Sequence, residues 1–179
     1  MSNITTYTKI SMDPTKPTPD EIEIRDIAHA LSLMCRANGH FPHFYSVAQH
    51  CNNCCTEALA RGLSTRIQLI CLLHDASEAY LSDITRPVKQ SLPTYRKIEK
   101  VLQDLIYKKY LTISPTEQEL QAVSEIDDAL LYAEFSEIAH EKILNSPPLL
   151  FSSPQFAFVD FQTVEQEFLQ NFEKLIPSI

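Results

Sequence analysis

Between positions 67 and 73 the chain has almost no polar face: Ile67, Leu69, Ile70, Cys71, Leu72 and Leu73 are interrupted by Gln68 alone. A helix that is apolar all round belongs at the buried centre of a helical protein. The other elements must therefore be arranged around this one. The run ends abruptly in His74, Asp75 and Glu78. On a continuing helix, spacings of three and four residues bring all three side chains to one face. A His-Asp pair at the deep end of such a helix, with no Lys or Arg beside it, is costly to bury unless something satisfies it. Two readings are open from the dipeptide itself: a hydrogen-bonded core couple, or two ligands of a divalent metal.

A chain of 179 residues suits one domain with one sizeable core. It holds only 2 glycines, where average usage would give about a dozen. That scarcity argues against tight hairpins and against Gly-rich phosphate loops. The formal net charge of -8 argues against a surface for polymeric nucleic acid, although local cations and a metal would still admit a small anionic substrate. Cys51, Cys54 and Cys55 share one helix face, but no second cysteine cluster completes a zinc set, so buried reduced thiols are expected. No uninterrupted apolar run reaches the ~18 residues of a membrane span, and no signal peptide is evident. The expectation is a cytoplasmic protein with no membrane association.

Residues 1–19 are polar, carry Pro14, Pro17 and Pro19, and read as an arm with a short extended piece. Ile24, Ile27, Ala28, Leu31 and Met34 give the next stretch, from Asp20 or Arg25 to Met34, an apolar stripe at helical spacing, with His29 beside it as a core histidine. Residues 36–43 form a loop marked by Asn38-Gly39 and Pro42, and it carries Arg36, His40 and His43. Ser46 with Gln49 predicts a capping box for a second helix that Gly62 closes. Val47, Cys51, Cys54, Ala58 and Leu59 are its expected core face, with His50 one turn in. Ser64 or Thr65 opens the central helix, which is expected to fray near Tyr80. A polar loop over 81–89 precedes a helix over 94–111, with Val101 among its inward positions. Ser114-Pro115 predicts the start of a long helix reaching Ile143. In it Asp127 is either a surface charge or an inward ligand. Residues 145–162 read as a loop, and an amphipathic helix over 163–175 ends the chain. The architecture expected is all-α: a single domain over 1–179, a compact bundle of six or seven helices.

His50, His74-Asp75 and Asp127 thus lie on three separate helices with apolar faces, and facing helices of a bundle build metal sites from such side chains. Two imidazoles and two carboxylates suit one divalent ion of the Mn, Fe, Co, Ni or Zn kind, with positions left open.

The chain resembles the HD-domain metal-dependent phosphohydrolases, and within them the short 5'-deoxynucleotidase-like subgroup. Phage dATP triphosphohydrolases share much of the pattern. The resemblance covers about Asp20 to Phe135 and is carried by Asp26-Ile27-Ala28-His29-Ala30-Leu31-Ser32, Cys35-Arg36, Asn38-Gly39-His40 and Phe44-Tyr45-Ser46-Val47-Ala48-Gln49-His50. Leu73-His74-Asp75-Ala76-Ser77-Glu78-Ala79-Tyr80 and Asp83-Ile84-Thr85-Arg86-Pro87-Val88-Lys89 carry it further. It implies an HD-type bundle and one divalent metal ion, Mg included, held by His50, His74, Asp75 and Asp127. Asp128 adjoins Asp127, and the spacing from Asp127 to Glu134 favours Asp127. The resemblance further implies Glu78 and Asp83 as catalytic carboxylates. Arg36 and Lys89 would be phosphate-holding cations, and His40 a further substrate contact. Relatives often carry an aromatic where this chain has Ala37. The activity implied is hydrolysis of a small nucleotide, foremost a deoxynucleoside 5'-monophosphate, by direct attack of activated water. Release of triphosphate from a dNTP is the alternative, and a non-catalytic nucleotide-binding module a third. Pairing as a homodimer is also implied.

Overall fold

A computed structural model describes residues 3–178. The arm is a small antiparallel hairpin, β1 (Ile4–Thr5) and β2 (Ser11–Met12), with Ile4 opposite Met12. Its turn dispenses with glycine: Lys9 adopts φ 71° instead. Met12 is wholly buried, and Thr8 donates its N–H (2.7 Å) and hydroxyl (2.9 Å) to Asp26, so the hairpin is fastened to the body of the protein.

The remainder is helical: α1 (Ile24–Leu33), α2 (Val47–Ala60), α3 (Thr65–Leu73), α4 (Glu78–Leu81), α5 (Arg86–Gln90), α6 (Pro93–Leu111), α7 (Glu117–Glu137) and α8 (Phe161–Leu175). Six of these have nine residues or more, and α4 and α5 are short. The fold is all-α apart from the hairpin. Every residue of α3 from Gln68 to Leu73 is buried. It sits against α2, α7 and α8, the central position that its apolar circumference demands. No helix among the described residues is long and apolar enough to cross a membrane.

Several boundaries differ from the periodicity. The central helix does not run through to Tyr80. It ends at Leu73, a stretch of turn carries His74 to Ser77, and Glu78 opens α4. The long helix starts later than Ser114-Pro115 suggests. Thr116 caps it, with a reciprocal Glu119 box, and it stops at Glu137, short of Ile143. Leu59 and Val101, placed by spacing on inward faces, are exposed.

Ser46 caps α2 by accepting from Gln49 N–H, but the Gln49 side chain does not return to the cap. It donates to the carbonyls of Gln155 and Ala157, both at 3.0 Å. Asn53 and Glu57 follow at intervals of four and meet the same segment. Asn53 donates to Gln155 O, while Glu57 accepts from Phe151 N, Ser152 N and the Ser152 hydroxyl. A polar stripe on α2 thus straps the connection between α7 and α8 across the bundle.

Candidate metal centre

His50 lies in the first turn of α2, where the Ser46 cap fixes the helix start. Its side chain has no exposed surface. Its Nδ1 is 2.5 Å from Glu134 Oε1. Glu134, wholly buried on α7, also accepts from the Tyr45 hydroxyl (3.1 Å) and from Arg36 Nε (3.1 Å). Burial raises the Glu134 carboxyl, but Arg36 and His50 outweigh it and hold the group below its ordinary value. A carboxylate accepts at all of these contacts, so His50 donates through Nδ1 and presents Nε2.

His74 stands where α3 ends. Its Nδ1 is 2.7 Å from Cys71 O, a carbonyl that can only accept. Nδ1 therefore donates, and Nε2 again carries the lone pair. The two Nε2 atoms face each other at 3.3 Å. Two lone pairs at that distance in a buried setting need a proton or a cation between them. Asp127 Oδ1 lies 3.1 Å from His50 Nε2 and 3.9 Å from His74 Nε2, and Asp75 Oδ2 lies 3.3 Å from His74 Nε2. Donors bound at about 2.0–2.2 Å to one ion are separated by about 2.8–3.6 Å; the His50–His74, His50–Asp127 and His74–Asp75 separations fall in that range, while His74–Asp127 is longer.

The electrostatics agree. Burial and Arg36 push the His50 imidazole down, yet Glu134 and Asp127 outweigh them and raise it to about 9. Burial pushes Asp127 up, but the hydrogen bond with His50 and the nearby His74 and Arg36 hold it far below the usual carboxylate range. The position between the imidazoles and Asp127 is therefore one where positive charge is stabilised. Asp128, the alternative on the same turn, points elsewhere: its Oδ1 is 2.7 Å from Arg86. Arg86 also holds Asp127 Oδ2 at 3.1 Å, which leaves Oδ1 toward the imidazoles.

Arg36 precedes a tight Ala37-Asn38-Gly39 turn in which all three residues have positive φ. Its guanidinium is committed to carboxylates, Glu134 Oε2 at 3.1 Å and Asp75 Oδ2 at 3.5 Å. Arg36, expected to hold phosphate, bridges these two carboxylates. His40 is exposed on the same loop and is not among the residues lining the adjoining cleft.

Glu78 is buried at the start of α4. Lys89 Nζ donates to its Oε1 at 3.1 Å, while Oε2 is buried with no hydrogen-bond partner. Burial, Asp75 and Asp83 together raise this carboxyl well above its ordinary value, against the pull of Lys89. Asp83 is raised as well, chiefly by burial, with Arg36 opposing and Asp75 adding. Lys89 is placed by α5, which Pro87 initiates, and also binds Glu99 Oε1 at 2.6 Å. A cleft of about 680 Å³ opens beside His74 and Asp75 and runs along α6, with Lys89, Arg96, Lys97 and Lys100 on its wall.

Two further residues adjoin the centre. Glu134 shares a face with Asp127, two turns on, and a carboxylate between buried Leu130 and Ile138 was a visible signal. Cys54 is the other. It was expected to be a core thiol, and it is buried, but its Sγ lies 3.4 Å from His50 Nε2.

The uncharacterized protein RCAP_rcc00048 of Rhodobacter capsulatus is 32% identical over 149 residues, covering 76% of this chain and 76% of its own length. The chain belongs to its family. The uncharacterized protein YfdR of Escherichia coli K12 is 40% identical over 110 residues, which are 62% of this chain and 59% of YfdR. No family model matches the chain.

Proposed function

We propose that the protein is a metal-dependent phosphohydrolase of the HD type that acts on small nucleotides, foremost as a 5'-nucleotidase on deoxynucleoside monophosphates. The observation that carries the proposal is the convergence of two imidazole Nε2 lone pairs with Asp75 and Asp127, beside a buried carboxylate whose Oε2 has no partner. The motif resemblance supports it, since the same residues match the ligands and the acid of that family. The donor set fits a divalent cation: two imidazole nitrogens and two carboxylates, with the second imidazole nitrogens already tied to Glu134 and Cys71 O. Bound there, such an ion polarises a phosphoryl oxygen and acidifies water.

The chain's own residues account for the other requirements. Glu78 Oε2 takes the proton from the attacking water, and its raised carboxyl makes it a stronger base than an exposed glutamate. Lys89 Nζ holds Glu78 Oε1, which leaves Oε2 as the free oxygen. Water oxygen bonds to phosphorus, the ester bond breaks, and the nucleoside leaves with a proton that Asp83, its carboxyl raised by burial, can provide. Lys89 and the α6 cations offset the negative field that an acidic protein presents to phosphate.

A second reading, triphosphate release from a dNTP, is favoured by one feature: Arg96, Lys97 and Lys100 extend the cationic wall beyond Lys89. A panel of dNMPs and dNTPs with Mn, Co, Mg or Zn, with products separated chromatographically, distinguishes the two. Nucleoside plus orthophosphate is the expected result. Nucleoside plus triphosphate selects the second reading. Metal binding without turnover of any member would overturn both and leave a nucleotide-binding module.

A further inference from the structure

We infer that Cys54 is a direct thiolate ligand of the metal, which biases the centre toward thiophilic ions such as Zn and Co over Mg and Mn. The inference rests on the reading of His50, His74, Asp75 and Asp127 as a metal centre. Cys54 is one helical turn after His50 on α2, so its side chain projects on the same face. Its Sγ is 3.4 Å from His50 Nε2, and the two Nε2 atoms are 3.3 Å apart. The three donor atoms lie within 4.8 Å of one another. Donors held at tetrahedral angles, with metal–nitrogen bonds of about 2.0 Å and metal–sulfur of about 2.3 Å, are separated by about 3.3–3.6 Å. The two separations from His50 Nε2 match those edges, and Asp127 Oδ1 at 3.1 Å from the same nitrogen provides a further vertex.

Packing supports the assignment. Cys54 is 1% exposed and Cys71 and His50 are fully buried, so the thiol is not open to adventitious reagents. It is a free cysteine, and among the described residues none of the cysteines forms a disulfide. Coordination replaces the S–H bond with a metal–sulfur bond and releases one proton to solvent, so no oxidant is involved. A centre built from carboxylates and imidazoles accepts Mg and Mn readily, and a thiolate among the donors shifts preference toward softer ions.

Cys51 provides the internal comparison, because its sulfur also approaches His74 and Asp75. Metal-free protein would be titrated with Co(II) while the near-ultraviolet sulfur-to-cobalt charge-transfer band is recorded. Zn affinity would be measured by chelator competition. The wild-type protein and Cys51→Ala are expected to show the band, and Cys54→Val to lose it. Cys54→Val, which removes a donor outright, should bind Zn more weakly by at least the ~10–100-fold that loss of an outer-shell partner costs, with Mn affinity changed far less. Co(II) bound to the wild-type protein without a charge-transfer band overturns the thiolate inference and leaves the centre standing. A band that survives Cys54→Val and disappears in Cys51→Ala overturns it in favour of the other thiol. Failure of wild-type protein to bind Co(II) or Zn at all overturns the reading of the centre itself. Where Cys54→Val folds poorly, Cys54→Ser is the second variant, and a band that survives in it overturns the assignment to Cys54.

Discussion

Glu134 Oε1 lies 2.5 Å from His50 Nδ1, although 84 residues separate the two in the chain. The contact holds the imidazole in the tautomer that presents Nε2 to the space shared with His74 and Asp127. Arg36 and Tyr45 anchor the carboxylate in turn. An anchored carboxylate behind a ligating imidazole both orients it and increases its basicity.

Glu134→Gln should therefore weaken metal binding without removing a ligand. About 10–100-fold lower affinity for Mn or Zn is expected, and Tyr45→Phe, which leaves the carboxylate in place, should change it much less. Isothermal titration of metal-free protein reads both. Equal affinity in wild type and Glu134→Gln would mean that the contact does not prepare His50.

Glu78 is assigned a proton-accepting role and not a ligand's. Glu78→Gln should reduce turnover by about 10²–10⁴-fold while metal content, measured by ICP-MS, stays at the wild-type level. Loss of the metal together with activity would instead make Glu78 part of the coordination sphere.

Asp127 and Asp128 are adjacent, but only Asp127 is turned toward the imidazoles. Asp127→Ala should empty the centre on dialysis, and Asp128→Ala should leave it filled. The reverse outcome would show that the Arg86 pairing is exchanged when an ion enters.

Glu57 makes a stability prediction away from the centre. Burial raises its carboxyl, but the Ser152 hydroxyl, Arg61 and the N–H groups of Phe151 and Ser152 outweigh burial and lower it below the ordinary 4.5. A carboxyl lowered in the folded state stabilises fully above its unfolded value, and the contribution is lost as pH falls through the folded value. Glu57→Gln should be about 1–3 kcal/mol less stable than wild type at pH 7. The gap should narrow as the pH drops below 4.5. Urea midpoints for both proteins across that range test it. A gap that does not change with pH would show that charge is not what holds the strap over 151–152.

Much of this arrangement is written locally. The apolar circumference of 67–73 requires a central helix, and Ser46, Ser64 and Asp160 each cap the helix that follows by accepting a backbone N–H. Helical spacing on 24–34 and 163–175 identifies the faces that meet in the core. The candidate ligands are similarly legible, because histidines and carboxylates on otherwise apolar helix faces are conspicuous. These features depend on hydrogen bonds and burial within a few turns, which residue order specifies directly.

Other features required the packed protein. Continued helix was a reasonable expectation for His74 to Tyr80, yet α3 stops at Leu73 and the turn lets His74 donate to Cys71 O and aim Nε2 at His50. The contacts of Arg36 with Glu134 and Asp75, which come from two other elements, are set by the packing and not by the sequence around it. The spacing of Gln49 from Ser46 fits a capping box, and only the 151–157 segment crossing Gln49, Asn53 and Glu57 makes the three a fastening. Cys54 read as core filling until α3 brought His74 beside it. The order of residues determined which elements form and which faces they bury. The pairings between side chains far apart in the chain were decided by how rigid helices stack, because a shift of a few ångströms in that stacking exchanges one partner for another while leaving each helix's own pattern intact.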